Sequence, residues 1–166
     1  MIALVKRFAT ALFFLTMLAF IGGSFIKNDV ITHSTKPLLI PLLMLLVFVS
    51  IRSSRNKNII LTALFFSFAG DVLLLFESTM PGLFIPALLC FLLTHILYIL
   101  YFLSTRPKRI SLLTTAPYVG LLVAAYGIFL LYLLFPHLGD LKIPVSIYAV
   151  IILFMLLSTI HIYKRV

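Results

Sequence analysis

The chain has 166 residues, of which 63% are hydrophobic and 10% charged, against about 45–50% apolar and about 25% charged in a soluble domain. That much apolar surface cannot be hidden in a water-soluble core, and the length suits a single domain; the composition excludes a soluble globular protein and points to an all-α integral membrane protein, one multi-span domain over residues 1–166. The net charge of +9 does not signal a nucleic-acid partner, because the basic residues sit in short clusters between apolar runs, where they set topology and attract anionic lipid, and do not line one face.

Six apolar runs are long enough to cross, or nearly cross, a hydrocarbon core of about 30 Å. In chain order they are Phe8–Phe25, Pro37–Ile51, Ile59–Phe76, Leu83–Leu103, Leu112–Phe135 and Leu141–Tyr163. The second is short and is expected to begin before Pro37. The runs are apolar on every side, whereas strands of a membrane barrel alternate apolar and polar residues, so helices are expected. The first run has a basic start and small residues at Gly22, Gly23 and Ser24. Its apolar part is long for a signal peptide and no A-x-A site follows, so it is read as a retained span.

The connections alternate in charge. Lys6 and Arg7, then Arg52, Arg55 and Lys57, then Arg106, Lys108 and Arg109, then Lys164 and Arg165 place ten of the thirteen basic residues on one side. The other side holds Lys27, Lys36 and Lys142 with Asp29, Glu77 and Asp140. The positive-inside rule then puts both termini in the cytoplasm, and the expected location is the cell (inner) membrane.

Asp71, in "FFSFAGDVLLLF", is the strongest functional signal. An acid near the middle of a membrane helix costs roughly 2.5–3.5 kcal/mol on insertion scales and usually marks a site; the plainer reading is an interhelical hydrogen bond that fixes packing. Ser67 is one turn earlier on the same face, and Gly70 allows a neighbouring helix to approach. In the fourth run Phe91, His95, Tyr98 and Phe102 share a face by helical spacing, which makes a polar pocket or an ordinary satisfied histidine. In the sixth run Pro144, Tyr148, Ile151 and Met155 share a face, as a site or as packing. Lys36, at the outer end of the second run with Pro37 suited to a first helical turn, either snorkels to the headgroups or holds a lipid phosphate. Glu77 reads as a solvated helix end, and His33, His137 and His161 as interfacial. Cys90, the lone cysteine, permits no intramolecular disulfide and reads as a small buried apolar group. No spacing of His, Cys, Asp or Glu suggests a metal, and no phosphate loop, haem motif or nucleophile elbow occurs, so neither metal nor cofactor is expected.

Four pieces, "KPLLIP" at 36–41, "FSFAGDVLL" at 66–74, "FLLTHILY" at 91–98 and "PVSIYAVIILFM" at 144–155, resemble in that order the YhhN family of membrane proteins, which includes the lysoplasmalogenases. The resemblance covers about residues 32–155, and the glycine–aspartate piece is its most telling part. It implies a multi-span hydrolase that cleaves the vinyl ether of a lysoplasmalogen to a fatty aldehyde and a glycerophospho-alcohol. The family's third-span aspartate carries over onto Asp71, its lysine–proline element onto Lys36 and Pro37, its fourth-span histidine and tyrosine onto His95 and Tyr98, and its sixth-span tyrosine onto Tyr148. The family pattern has eight spans, with a second aspartate in a Ser-Asp-containing seventh; this chain ends at Val166 and has no counterpart of it. The expectation is a family member without its last two helices, a half that works with a partner such as a second copy of itself, or a relative with other chemistry.

On this reading Asp71, His95 and Tyr98 are the expected catalytic residues, and Lys36, Ser67 and Tyr148 the expected substrate-binding ones, with a lysophospholipid or other lipid as substrate. Vinyl ether hydrolysis needs a positioned acid that keeps its proton near neutral pH, and low dielectric favours the neutral form of a carboxyl. Asp71 fits that role, with His95, Tyr98 or Tyr148 left to position water. The alternative reading is a small proton-coupled transporter or lipid-binding membrane protein, or an inactive truncated family member, in which Asp71 and His95 form a coupling site or interhelical glue.

Overall fold

The computed structural model describes residues 2–51, 54–105, 113 and 116–162. The regular elements among the described residues are all helical: α1 Ile2–Phe25, α2 Asp29–Ser50, α3 Arg55–Phe76, α4 Phe84–Ser104, α5 Pro117–Leu134, two short 3-10 turns at Phe135–His137 and Gly139–Leu141, and α6 Lys142–Ile162. Six of these segments are long and apolar enough to cross a membrane, as the six runs predict. The starts of the fifth and the end of the sixth expected runs, at Leu112 and Tyr163, lie outside the described residues. So do Arg52, Arg106, Lys108, Arg109, Lys164 and Arg165 of the charge pattern.

The large apolar side chains point outward. Phe8, Phe25, Leu121, Tyr132 and Phe154 are among many that are more than half exposed, while the fully enclosed apolar positions are mostly small: Ala9, Ala63, Leu64, Ala87 and Ala116. This inversion follows from the solvent. Lipid tails solvate Leu and Phe as well as a protein interior does, so helices associate through close approach of small residues and through hydrogen bonds.

The chain divides into two compact units, Met1–Thr94 and His95–Val166. In the first, α1 packs on α2 and α2 on α3. The α1–α2 turn is tight. Lys27 takes a left-handed backbone (φ 53°), a conformation usually left to glycine at the end of a helix, and Asn28 caps α2 by accepting the Ile31 N–H at 3.2 Å. A Cβ on Gly23 would lie 2.8 Å from Cγ2 of Ile31, so glycine is what lets the two helices meet there.

Helix α2 begins eight residues before Pro37, at Asp29. This corrects the placing of Pro37 in a first helical turn and of Lys36 at the helix end. Pro37 and Pro41 are both inside the helix, where each lacks the N–H that would bond four residues back, so the carbonyls of His33 and Pro37 are left without their helical donors. The two freed carbonyls flank Lys36 in sequence.

The α2–α3 connection is fixed at its other end by Lys57, which is 8% exposed. Its ammonium lies 2.7 Å from the Phe48 carbonyl oxygen and 4.1 Å from the centre of the Phe48 ring. Phe48 is in the last turn of α2, where carbonyls lack helical donors, so the lysine caps that end as well as crossing to it. Lys57 is therefore an interhelical clamp, where the charge pattern alone marks it as a topology signal. Ser54 caps α3 through the Lys57 N–H at 3.2 Å.

In the second unit α5 packs on α6. A Cβ on Gly127 would collide with the Leu153 side chain, and one on Gly120 would lie 3.8 Å from Leu157. The close approach is at Gly127; Gly120, seven residues earlier, meets Leu157 at ordinary contact distance and has Leu113 nearer. Lys142, the first residue of α6, has its ammonium 5.2 Å from the ring centre of Phe135 in the first 3-10 turn.

Candidate active site

Helix α3 presents two neighbouring stripes. Lys57, Ala63, Leu64 and Gly70 are its buried residues. Ala63 and Gly70 are seven apart and face α4: the Thr94 hydroxyl lies 3.1 Å from the Ala63 carbonyl oxygen, and a Cβ on Gly70 would come within 2.9 Å of the Phe91 ring. On α4 the buried residues are Ala87 and Thr94, again seven apart. The expected close approach at Gly70 is present, and the group that makes it is the Phe91 ring.

The second stripe is one residue further round. Lys57, Leu64 and Asp71 are also seven apart, and Lys57 identifies the direction, since it bonds to α2. Asp71 therefore turns toward α2. Lys36, on α2, lies near enough for its charge to act on the Asp71 carboxylate. Both residues are half-buried, as is Ser67 one turn before Asp71.

Depth along the helix differs from the sequence expectation. Helix α3 starts at Arg55 and ends at Phe76, so Asp71 is about 24 Å from its start and about 7.5 Å from its end at 1.5 Å per residue. It lies toward the Phe76 end and not at mid-span. Glu77, the residue after α3, is not simply solvated: its Oε1 accepts the Gly82 N–H at 3.3 Å, and its Oε2 is enclosed without a hydrogen-bond partner.

The second unit holds the other three expected residues. His95 meets Tyr148 edge to face, ring centres 5.4 Å apart and planes at 90°, which joins the second half of α4 to α6. Tyr98 stacks on Phe102 at 6.4 Å, as the shared face predicts. His95, Tyr98 and Tyr148 are all half-buried. Cys90 is a free thiol that is half-buried, not enclosed as expected of a small apolar group. Of the three loop or end histidines, His33 and His137 are exposed and His161 is half-buried.

Thr94 is a residue that the sequence reading passes over. It is 3% exposed, and its hydroxyl is 3.1 Å from the Ala63 carbonyl and 3.0 Å from the Cys90 carbonyl of its own helix. A hydroxyl in an apolar run, seven residues after an alanine, is the signal that would have found it. No group of three or more His, Cys, Asp or Glu suited to a metal ion occurs among the described residues.

Helices of this length and composition, with lysine, aspartate and histidine set inside them, define a multi-pass helical membrane protein with polar groups at membrane depth. Residues 31–166 match the YhhN family, and the chain belongs to that family. The matched region contains every one of the site residues described above. No curated protein and no solved structure matches the chain.

Proposed function

We propose that the protein is a membrane-embedded lysoplasmalogenase-like hydrolase, with both termini in the cytoplasm of a bacterial-type inner membrane and a single-chain ether phospholipid as substrate. The observation that carries this reading is Asp71, a carboxyl group inside the third spanning helix of a YhhN-family chain. It is turned toward α2, where Lys36 supplies a positive charge.

The chemistry follows from the substrate. Asp71, in its acid form, gives its proton to the vinyl carbon remote from oxygen, and the electrons of the double bond form the new C–H bond. The adjacent carbon becomes an oxocarbenium ion, which the Asp71 carboxylate stabilises by charge. Water adds to that carbon and loses a proton, which returns to the carboxylate. The resulting hemiacetal breaks its bond to the glycerol oxygen, which takes the hydroxyl proton, and leaves an aldehyde. One water is consumed and Asp71 is regenerated. His95, Tyr98 and Tyr148 are the proposed groups that orient water, a part of the proposal read by its own variants. Ser67 is placed to bond the Asp71 carboxyl or the substrate.

The test is aldehyde release from a purified lysoplasmalogen by the purified protein, beside Asp71→Asn. General acid catalysis contributes about 10²–10⁴-fold, so the variant should lose activity by at least that lower figure while keeping its helical content. Undiminished release from Asp71→Asn would overturn the assignment. A folded wild-type protein that releases no aldehyde, and instead carries protons across a vesicle membrane, would replace the hydrolase by the transporter.

A further inference from the structure

The end of α5 carries an open hollow of about 300 Å³, lined by Ile128, Leu131, Tyr132, Phe135 and Pro136. Every one of these residues comes from α5 or from the 3-10 turn that follows it. The walls are apolar, and α5 has no buried residue of its own, so the hollow offers its surface to lipid. Tyr132 lies in the last turn of α5, the level at which tyrosines mark the boundary between acyl chains and headgroups. A cation stands at the rim. The Lys142 ammonium is 5.2 Å from the centre of the Phe135 ring, within the range of a cation–π contact, and Phe135 is one of the walls. The ring holds the charge in place and leaves N–H donors for an oxygen ligand. Among the described residues the ammonium has no carboxylate partner: Asp140, two residues earlier, is exposed and makes no ion pair with it. Lys142 also begins α6, a helix of 21 residues, whose start is the positive end of the helix dipole.

We propose that this hollow and Lys142 form a binding site for a membrane phospholipid, with one acyl chain lying in the hollow and the phosphodiester held by the Lys142 ammonium. The site goes beyond the hydrolase reading. None of its residues has a part in the reaction, and the lipid is bound there without being cleaved. An apolar hollow by itself suits any acyl chain, and a lysine by itself any anion. The two are joined through Phe135, and together they fit a molecule that is apolar along its length and anionic at one end. The bound lipid then has a structural consequence. Its chain lies on α5 and its phosphate on the first residue of α6, so it bridges the turn between the two helices.

The experiment measures binding of the first lipid to the full, delipidated chain in maltoside micelles, by native mass spectrometry. The probe is palmitoyl-oleoyl phosphatidylglycerol, a diacyl lipid without a vinyl ether. Binding of this probe and hydrolysis of a lysoplasmalogen can therefore fail separately. Lys142→Gln should weaken binding about fivefold, the share of one lysine in attraction to anionic lipid, and Lys142→Arg should retain it. Ile128→Trp, at a position that is 67% exposed, fills the hollow and should weaken binding by a similar factor. Lys27→Asn, at the exposed turn of the first unit, should leave the affinity unchanged. With lipid bound, amide exchange at Leu138–Lys142 should slow in the wild type and not in Lys142→Gln.

Two further probes identify the source of the phosphate. Glycerophosphoglycerol, a headgroup without chains, should bind far more weakly than the lipid; equal affinity would overturn the lipid assignment. The matching diacylglycerol, chains without phosphate, should bind more weakly and with no response to Lys142→Gln; affinity equal to that of the phospholipid would overturn the role of the phosphate. Unchanged binding in Lys142→Gln would overturn the role of the lysine, and unchanged binding in Ile128→Trp that of the hollow. Equal weakening in Lys27→Asn and Lys142→Gln would reduce the effect to general charge attraction and overturn the site. Unchanged exchange at the turn of the lipid-bound wild type would overturn the bridge between α5 and α6.

Discussion

In the α2–α3 hairpin the helices are tied by a charged side chain: the Lys57 ammonium reaches across to the Phe48 carbonyl and lies over its ring. In the α5–α6 pair the same closeness comes from Gly127 lying under Leu153 of α6. Both arrangements answer one constraint, that apolar side chains gain little by leaving lipid for each other. They differ in what they leave behind. A polar tie fixes register and needs donors and acceptors at membrane depth. A glycine seam fixes only distance. The region tied by polar bonds is also the one that holds Lys36 and Asp71.

The sharpest way to break this contrast is to overfill the glycine seam. Gly127→Leu should destabilise the α5–α6 pair by about 3 kcal/mol, the upper end for overpacking, read as unfolding in mixed micelles. Phe48–Lys57 protection from hydrogen exchange should be unchanged. Next in size, Lys57→Met keeps the apolar stem and removes the ammonium, leaving the Phe48 carbonyl without its donor. A loss of about 2 kcal/mol is expected, together with faster exchange at the end of α2. An unchanged exchange rate there would mean that the clamp does not hold the end of α2.

Smaller again, Thr94→Val preserves shape and removes the hydroxyl between α3 and α4. Interhelical bonds of this kind are worth about 0.6 kcal/mol on average and up to about 1.7, so the loss should fall in that range when measured by unfolding. At the bottom of the series, Gly22→Ala should stay within about 0.5 kcal/mol of wild type, since a Cβ there meets nothing within 4 Å. A large effect at Gly22 would show that glycine content as such, and not close approach, governs these helices.

Much of the architecture was legible before any coordinates. Six runs of apolar residues can only be helices across a bilayer, because every backbone polar group must be satisfied within its own segment. Asp71, His95, Tyr98, Tyr148, Lys36 and Ser67 stand out for the same reason, as polar groups where polarity is costly. Boundaries were harder. Polar residues Asp29 to Lys36 open α2 and Arg55 to Asn58 open α3, and a hydropathy pattern ends at them although the helix does not. That displaced Asp71 along its span and put Pro37 in a first turn it does not occupy.

The sequence by itself determined the class of protein, the number of spanning helices and the residues too polar to be idle. The tertiary structure decided which of those residues meet. Lys57 reads as one more basic residue in a loop until its partner carbonyl is known, and Thr94 as one hydroxyl among many. Lys36 and Asp71 are thirty-five positions apart, and the reach of one charge to the other depends on how two helices align. A register is a property of a pair: it comes from a clamp at one end and a buried stripe along the face, and no single helix carries it.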